Sequence, residues 1–219
     1  MVKEYPYLVA GLPELSLEFS SSEQIVGIKN FDYERIMNEV SEHLGKDDVK
    51  YLRLLSLGLD NPVPFFYRMA AKSNNRFIRE YFLLDVNLRN IQTGIIARKT
   101  GKTLDTYLVG DDMLTQAIRT SKANDFGLAF EMEDIQRIIA ILEIPDILER
   151  EQKLDLFRWE KINEITLFHY LDTDIVLAFV VKAFLVSRWL QLDKERGNAM
   201  FKQLLEDCRG ASEYTKMPE

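Results

Sequence analysis

The sequence predicts an all-α protein: a compact multi-helix bundle with one or two long central helices and a short non-helical N-terminal arm. The segment Asn74–Thr100 carries most of that expectation. It sets Phe77, Tyr81, Leu84, Leu88, Ile91 and Ile95 at alternating four- and three-residue spacing, the seam of a helix packed along its length. Glycine and proline are sparse, ten and six in 219 residues, which favours helices over many short strands. Hydrophobic residues make up 47% and charged residues 29%, the balance of a folded chain with a sizeable core rather than a disordered one.

The elements follow in order. Tyr7-Leu8-Val9-Ala10 reads as a short extended or buried run, Gly11-Leu12-Pro13 as a turn and Ser20-Ser21-Ser22 as a loop, together an arm on the helical body. Asn30 or Asp32 caps a helix to about Leu44 that buries Ile36 and Val40, and Gly45 stops it. Asp47 or Asp48 opens the next helix, with Val49, Leu52, Leu55 and Leu59 inward, and Asn61-Pro62-Val63-Pro64 ends it. Phe65–Ala71 is a short apolar helix. Ser73, Asn74 or Asn75 caps the long strut, whose outer face carries Arg79, Arg89, Asn90, Arg98 and Lys99. Gly101 ends it behind two cations that suit the helix C-terminus. Short helices are expected at Thr103–Val109 and Asp111–Thr120, then longer ones at Glu133–Leu142, Asp146–Leu171 and Thr173–Cys208, with Pro145 in a first turn and Gly197-Asn198 as a kink or break. The stretch Ile175–Leu192 is apolar nearly all round and should be the most buried helix. No low-complexity linker divides the chain, so residues 1–219 read as a single helical domain. A faint internal echo also admits pseudo-repeat halves at 30–110 and 111–210.

The net charge is −7, unevenly spread: residues 61–110 hold eight basic and three acidic side chains between acidic flanks. Those eight, Arg68, Lys72, Arg76, Arg79, Arg89, Arg98, Lys99 and Lys102, are the candidate partner-binding residues, a docking face for an acidic partner or else ordinary solvated helix faces. The overall acidity argues against nucleic acid. One cysteine, Cys208, excludes a disulfide within the chain, and the start of the sequence lacks a cleavable leader, so a cytoplasmic location is expected. The apolar run Ile175–Val186 is broken by Lys182 and is too short to span a bilayer.

No catalytic constellation is visible. His43 and His169 have no ligand-spaced companions; Cys208 sits late in a helix, where a thiolate is disfavoured. Asp111-Asp112 and Asp172/Asp174 read as helix caps. No glycine loop suits a phosphate. Neither metal nor cofactor is expected. Gly94 inside the strut calls for close helix packing, at a cost of about 1 kcal/mol relative to alanine. Most aromatics belong in the core, while those at Phe65–Tyr67 follow a proline-rich turn and can serve as partner anchors.

Two passages resemble known families. Residues 5–15, YPYLVAGLPEL, resemble the opening of a bacterial family of unknown function encoded in V-type ATPase operons. The strut, with Asp85-Val86-Asn87-Leu88-Arg89-Asn90-Ile91 followed by Ala97-Arg98-Lys99, resembles an element of the V-type ATPase C-subunit family, whose eukaryotic members are the d-subunits. That resemblance implies an all-helical, funnel-like socket without chemistry of its own. It would join the central stalk to the membrane ring from the cytoplasmic face. Its partners would be the stalk and ring subunits, with Asn87, Arg89, Asn90 and Arg98 as polar strut residues that either touch a partner or bridge neighbouring helices. A stand-alone helical scaffold or regulatory module, and an enzyme with a ligand site among its helices, are the alternatives.

Overall fold

The computed structural model describes residues 3–19, 31–60, 62–102 and 107–192. Within them lie nine α-helices and no strand: α1 Pro6–Gly11, α2 Tyr33–His43, α3 Lys46–Leu59, α4 Pro64–Ala70, α5 Arg76–Thr100, α6 Met113–Thr120, α7 Ile135–Leu142, α8 Ile147–Ile165 and α9 Thr173–Leu190. The all-α bundle is therefore as expected, and its helix ends follow local chemistry. The side chains of Asp32, Asn75, Asp112, Asp146 and Asp172 each accept a backbone N–H in the first turn they cap. Asp112 and Thr115 close a full capping box. Gly101 takes the left-handed conformation (φ 65°) that ends α5.

Helix α5 is the shared wall of two hydrophobic cores. Its first half, including Phe77, Ile78, Tyr81 and Phe82, packs into a cluster with α2, α3, α4 and α9. Its second half, Leu88, Ile91 and Ile95, packs into another built from α6, α7 and the start of α8. At 25 residues it is about 37 Å long. Helix α9 is the other central element, with twelve of its eighteen residues buried. Each large side chain these helices remove from water contributes roughly 1.5–3 kcal/mol of transfer free energy.

Several local expectations are corrected. The arm is not wholly non-helical, because Tyr7–Ala10 lies in α1. Pro6 at its first turn presets the helical φ there. Gly45 does not stop α2 in a left-handed turn; at φ −65°, ψ 150° it is the N-cap of α3, and Asp47 and Asp48 fall in that helix's first turn. Residues 107–109 carry no helix; residues 103–106 lie outside the described residues. Helix α8 ends at Ile165 rather than Leu171, and Pro145 precedes its cap, Asp146. Asn90 is not on an outer face: it is fully buried, because α5 is packed on several sides. The Gly197-Asn198 break and Cys208 lie outside the described residues.

Close packing explains two glycines. A Cβ on Gly94 would meet the Ile118 Cγ2 methyl at 2.8 Å and the Phe126 ring at 3.0 Å. On Gly58 it would meet the rings of Phe66 and Phe82, each at 2.3 Å, and these two rings already stack edge to face at 4.7 Å. Alanine is the better helix former by about 1 kcal/mol, but overpacking a buried contact costs about 1–3 kcal/mol. Urea denaturation should therefore show Gly58→Ala and Gly94→Ala both destabilised, the first more. A gain in stability for either would contradict the close approach.

Candidate functional site

The eight basic candidates do not form one patch. Arg76 pairs with Glu80 at 2.6 Å on the exposed start of α5. Arg79 donates to the Ser73 carbonyl at 2.6 Å. Arg68 lies over the exposed Phe65 ring, and Lys72 is exposed just past α4. Arg98, Lys99 and Lys102 sit at the far end of α5, with Arg76 and Arg98 roughly 33 Å apart at the usual helical rise. Of the Phe65–Tyr67 aromatics, Phe65 is exposed while Phe66 and Tyr67 are buried.

The polar strut residues are largely turned to their own chain. The Asn90 carboxamide donates to the Val109 carbonyl and accepts from the Val109 N–H, both at 2.9 Å, and so pins the otherwise irregular segment before α6. Arg89 donates to the Pro62 carbonyl at 2.9 Å. Arg98 donates to the carbonyls of Ser121 and Ala123, and its guanidinium lies 4.0 Å from the Phe126 ring centroid. It thereby holds the loop in which Phe126 has a left-handed backbone (φ 57°). Asn87 is half-buried, and its Oδ1 has no hydrogen-bond partner among the described residues.

Between α4, α5, α8 and α9 the side chains form a ladder of alternating charge. The Tyr67 hydroxyl donates to Asp85 at 2.6 Å, and the charge of Arg89 acts on it from the same helix as Asp85. Burial, then the charge of Asp85, push that hydroxyl above the ordinary tyrosine range, so it stays a neutral donor. Arg158 reaches Asp85 at 3.7 Å and donates to Asp155 at 2.9 Å. Asp155, with no solvent exposure, also accepts from the Trp189 indole at 2.8 Å, and Arg188 lies 3.7 Å away. Burial opposes the charge on Arg158, and the carboxylates of Asp155 and Asp85 more than reverse that effect.

The outer end of this ladder is a cleft of about 190 Å³. Leu88, Leu142 and Leu154 form its apolar wall, and Arg89, Gln92 and Arg158 supply donors beside Asp85. A smaller hollow of about 70 Å³ lies on the other side of the Asp85–Arg158 pair, between Gly58, Tyr81 and Arg188. The chemistry these groups can perform is recognition through hydrogen bonds and charge. No spacing in the sequence groups these residues into a site. One signal was present: Asp155 and Arg158 share the buried phase of α8 with Ile162, so charge falls where an apolar seam is expected.

The remaining candidates are structural joints. Asp111 pairs with Arg119, and Asp112 caps α6. His43 meets the Glu39 carbonyl at 2.8 Å. His169 does have companions: its Nδ1 bonds Asp172, the cap of α9, and Asp174 lies 3.9 Å away. Asp174 accepts from Asn75, the cap of α5, which ties the starts of the two central helices together. Burial pushes its carboxyl up, and the Asn75 hydrogen bond pulls it down. Among the described residues no group of three or more His, Cys, Asp or Glu could hold a metal ion, and no helix is long and apolar enough to cross a membrane.

Removing Asp155 leaves the half-buried Arg158 without its nearest partner and the Trp189 N–H unpaired. Asp155→Ala should lower the unfolding free energy by about 3–5 kcal/mol in urea, and the double variant Asp155→Leu with Arg158→Met should recover most of that loss. Equal destabilisation of both variants would show that lost packing, not an uncompensated charge, sets the cost.

Comparison with known families gives one match. Residues 60–211 fit a family described as proteins of unknown function (DUF2764). The match includes the strut and the ladder and excludes the passage at 5–15. No curated protein and no solved structure matches the chain. With well over half of its length covered by the family model, the chain belongs to the DUF2764 family of proteins of unknown function.

Proposed function

We propose that this protein is a non-catalytic coupling component of a V-type ATPase, a helical adaptor between the rotor stalk and the membrane ring. The observation that carries the proposal is the placement of α5. It runs through both cores, and Arg89, Asn90 and Arg98, three of the four residues that match the polar strut of the C-subunit family, are clamps onto neighbouring segments. An adaptor that transmits torque has to resist twisting. A helix braced at Pro62, Val109 and the Ser121–Ala123 loop does so better than one held by apolar contacts alone, because hydrogen bonds are directional.

The passage at 5–15 adds support from a separate part of the chain. It forms α1, which docks through Leu8 and through the Tyr5 hydroxyl bonded to Asp48 and the Gly45 N–H. Exposed groups remain for partners. Lys72, Lys99 and Lys102 face solvent, and Tyr7, Leu167, Phe168 and Tyr170 are exposed around the α8–α9 turn and the adjoining α1. The Tyr5 N–H bond to the Leu171 carbonyl joins those two segments.

Affinity purification of the tagged protein, from cells that express a complete V-type ATPase, tests the reading. Stalk or ring subunits should be recovered with it in fixed ratio. Recovery of the assembled ATPase without this chain, together with a tagged pool free of ATPase subunits, would contradict it and favour a stand-alone scaffold.

A further inference from the structure

We infer that the cleft beside Arg89 is a receptor for a carboxylate side chain, presented by an acidic segment of a partner protein. The inference rests on the adaptor reading for its occupant, while the cleft itself stands on geometry.

The donors are arranged for one carboxylate. Arg89 and Gln92 are three residues apart on α5, so they are neighbours on one helix face. The Gln92 carboxamide makes no hydrogen bond within the described residues, although it lines the cleft. Arg89 spends one Nη on Pro62 and keeps further donors. A carboxylate between the two would accept charge-assisted hydrogen bonds from Arg89 and Gln92. Arg158 and Arg188 balance the carboxylates of Asp85 and Asp155, which leaves the charge of Arg89 for a ligand.

Shape and rim select the source. Leu88, Leu142 and Leu154 can pack on a short aliphatic stem, such as the methylenes of glutamate, and a cleft of about 190 Å³ accommodates a single side chain. Pro62 lines the cleft, and the residues that follow it, Val63 and Phe65, are 61% and 58% exposed, with Arg68 over the Phe65 ring. Exposed aromatic and arginine side chains around a donor-lined hollow are the composition of a protein interface.

The test is a titration of the isotope-labelled full chain with N-acetyl-glutamate-N-methylamide, followed by NMR at the Gln92 carboxamide and the arginine Nε groups. The glutamine analogue and acetate serve as comparisons. We expect saturable shifts at millimolar concentrations, about fivefold or more weaker with the neutral glutamine analogue, which lacks the ionic component. Acetate, without a stem to pack on the leucines, should also bind more weakly. Arg89→Gln and Gln92→Ala should each abolish the shifts. Gln92→Ala should do so with an unchanged thermal midpoint, since Gln92 makes no hydrogen bond among the described residues. Equal binding of all three probes, insensitivity to both variants, or no saturable shift would overturn the inference. So would the same shifts appearing with protein concentration alone, which would name a second copy as the occupant. If the probe binds but no component of the ATPase is recovered with the tagged chain, the coupling role fails and the carboxylate site stands.

Discussion

The carboxylate of Asp155 is the joint on which the arrangement of the long helices depends. It has no contact with solvent, and it takes Arg158 from its own helix and the Trp189 indole from α9. Through Arg158 the connection continues to Asp85 on α5 and Tyr67 on α4. A charge removed from water in this way stabilises nothing by itself, since desolvation offsets most of the Coulomb gain. What it supplies is position: only one sliding and rotational setting of α8 lets both oxygens of Asp155 find their donors. Apolar clusters tolerate small displacements, and a buried, directional polar joint does not.

A second level of bracing follows along α5. The helix belongs to both major cores, so movement in one is felt in the other. Asn90 fixes Val109 through a paired hydrogen bond, and Arg98 fixes the loop around Phe126. At the other end, Asn75 caps α5 and also meets Asp174 in the first turn of α9. Lys182, which breaks the apolar run Ile175–Val186 of α9, extends to Asn163 on α8 and lies over Trp159. Polar side chains thus join α5 to α9 at their starts, α5 to α8 through Asp85 and Arg158, and α8 to α9 at Asn163 and Asp155.

Much of this frame is legible in the sequence, because helix signals are local. The spacing of Phe77 to Ile95, the cap at Asn75 and the stop at Gly101 predict α5 almost to the residue. The role of Gly94 is also readable, since an isolated glycine in a strong helix implies close approach. Tyr7–Ala10 misleads: Val9 and the short length favour an extended run, whereas Pro6 in the first turn together with docking onto α3 and the α8–α9 turn selects the helix. Asn90 is misplaced when one apolar seam is assumed for a helix that is surrounded on several sides. The ladder and the cleft are out of reach for a different reason. Asp155 and Trp189 are 34 residues apart, and the cleft gathers Pro62, Arg89 and Leu142 from separate helices or loops. No spacing rule brings such residues together before the fold does.

Bracing of this kind predicts one stiff body rather than two cores joined by a helix, and the adaptor role proposed above requires that stiffness. Native-state amide hydrogen exchange along α5 measures it directly. The account predicts that Ile78 and Phe82 in the first core, and Ile91 and Ile95 in the second, open with one common free energy equal to that of global unfolding. Two distinct opening energies, one for each half of the helix, would contradict it.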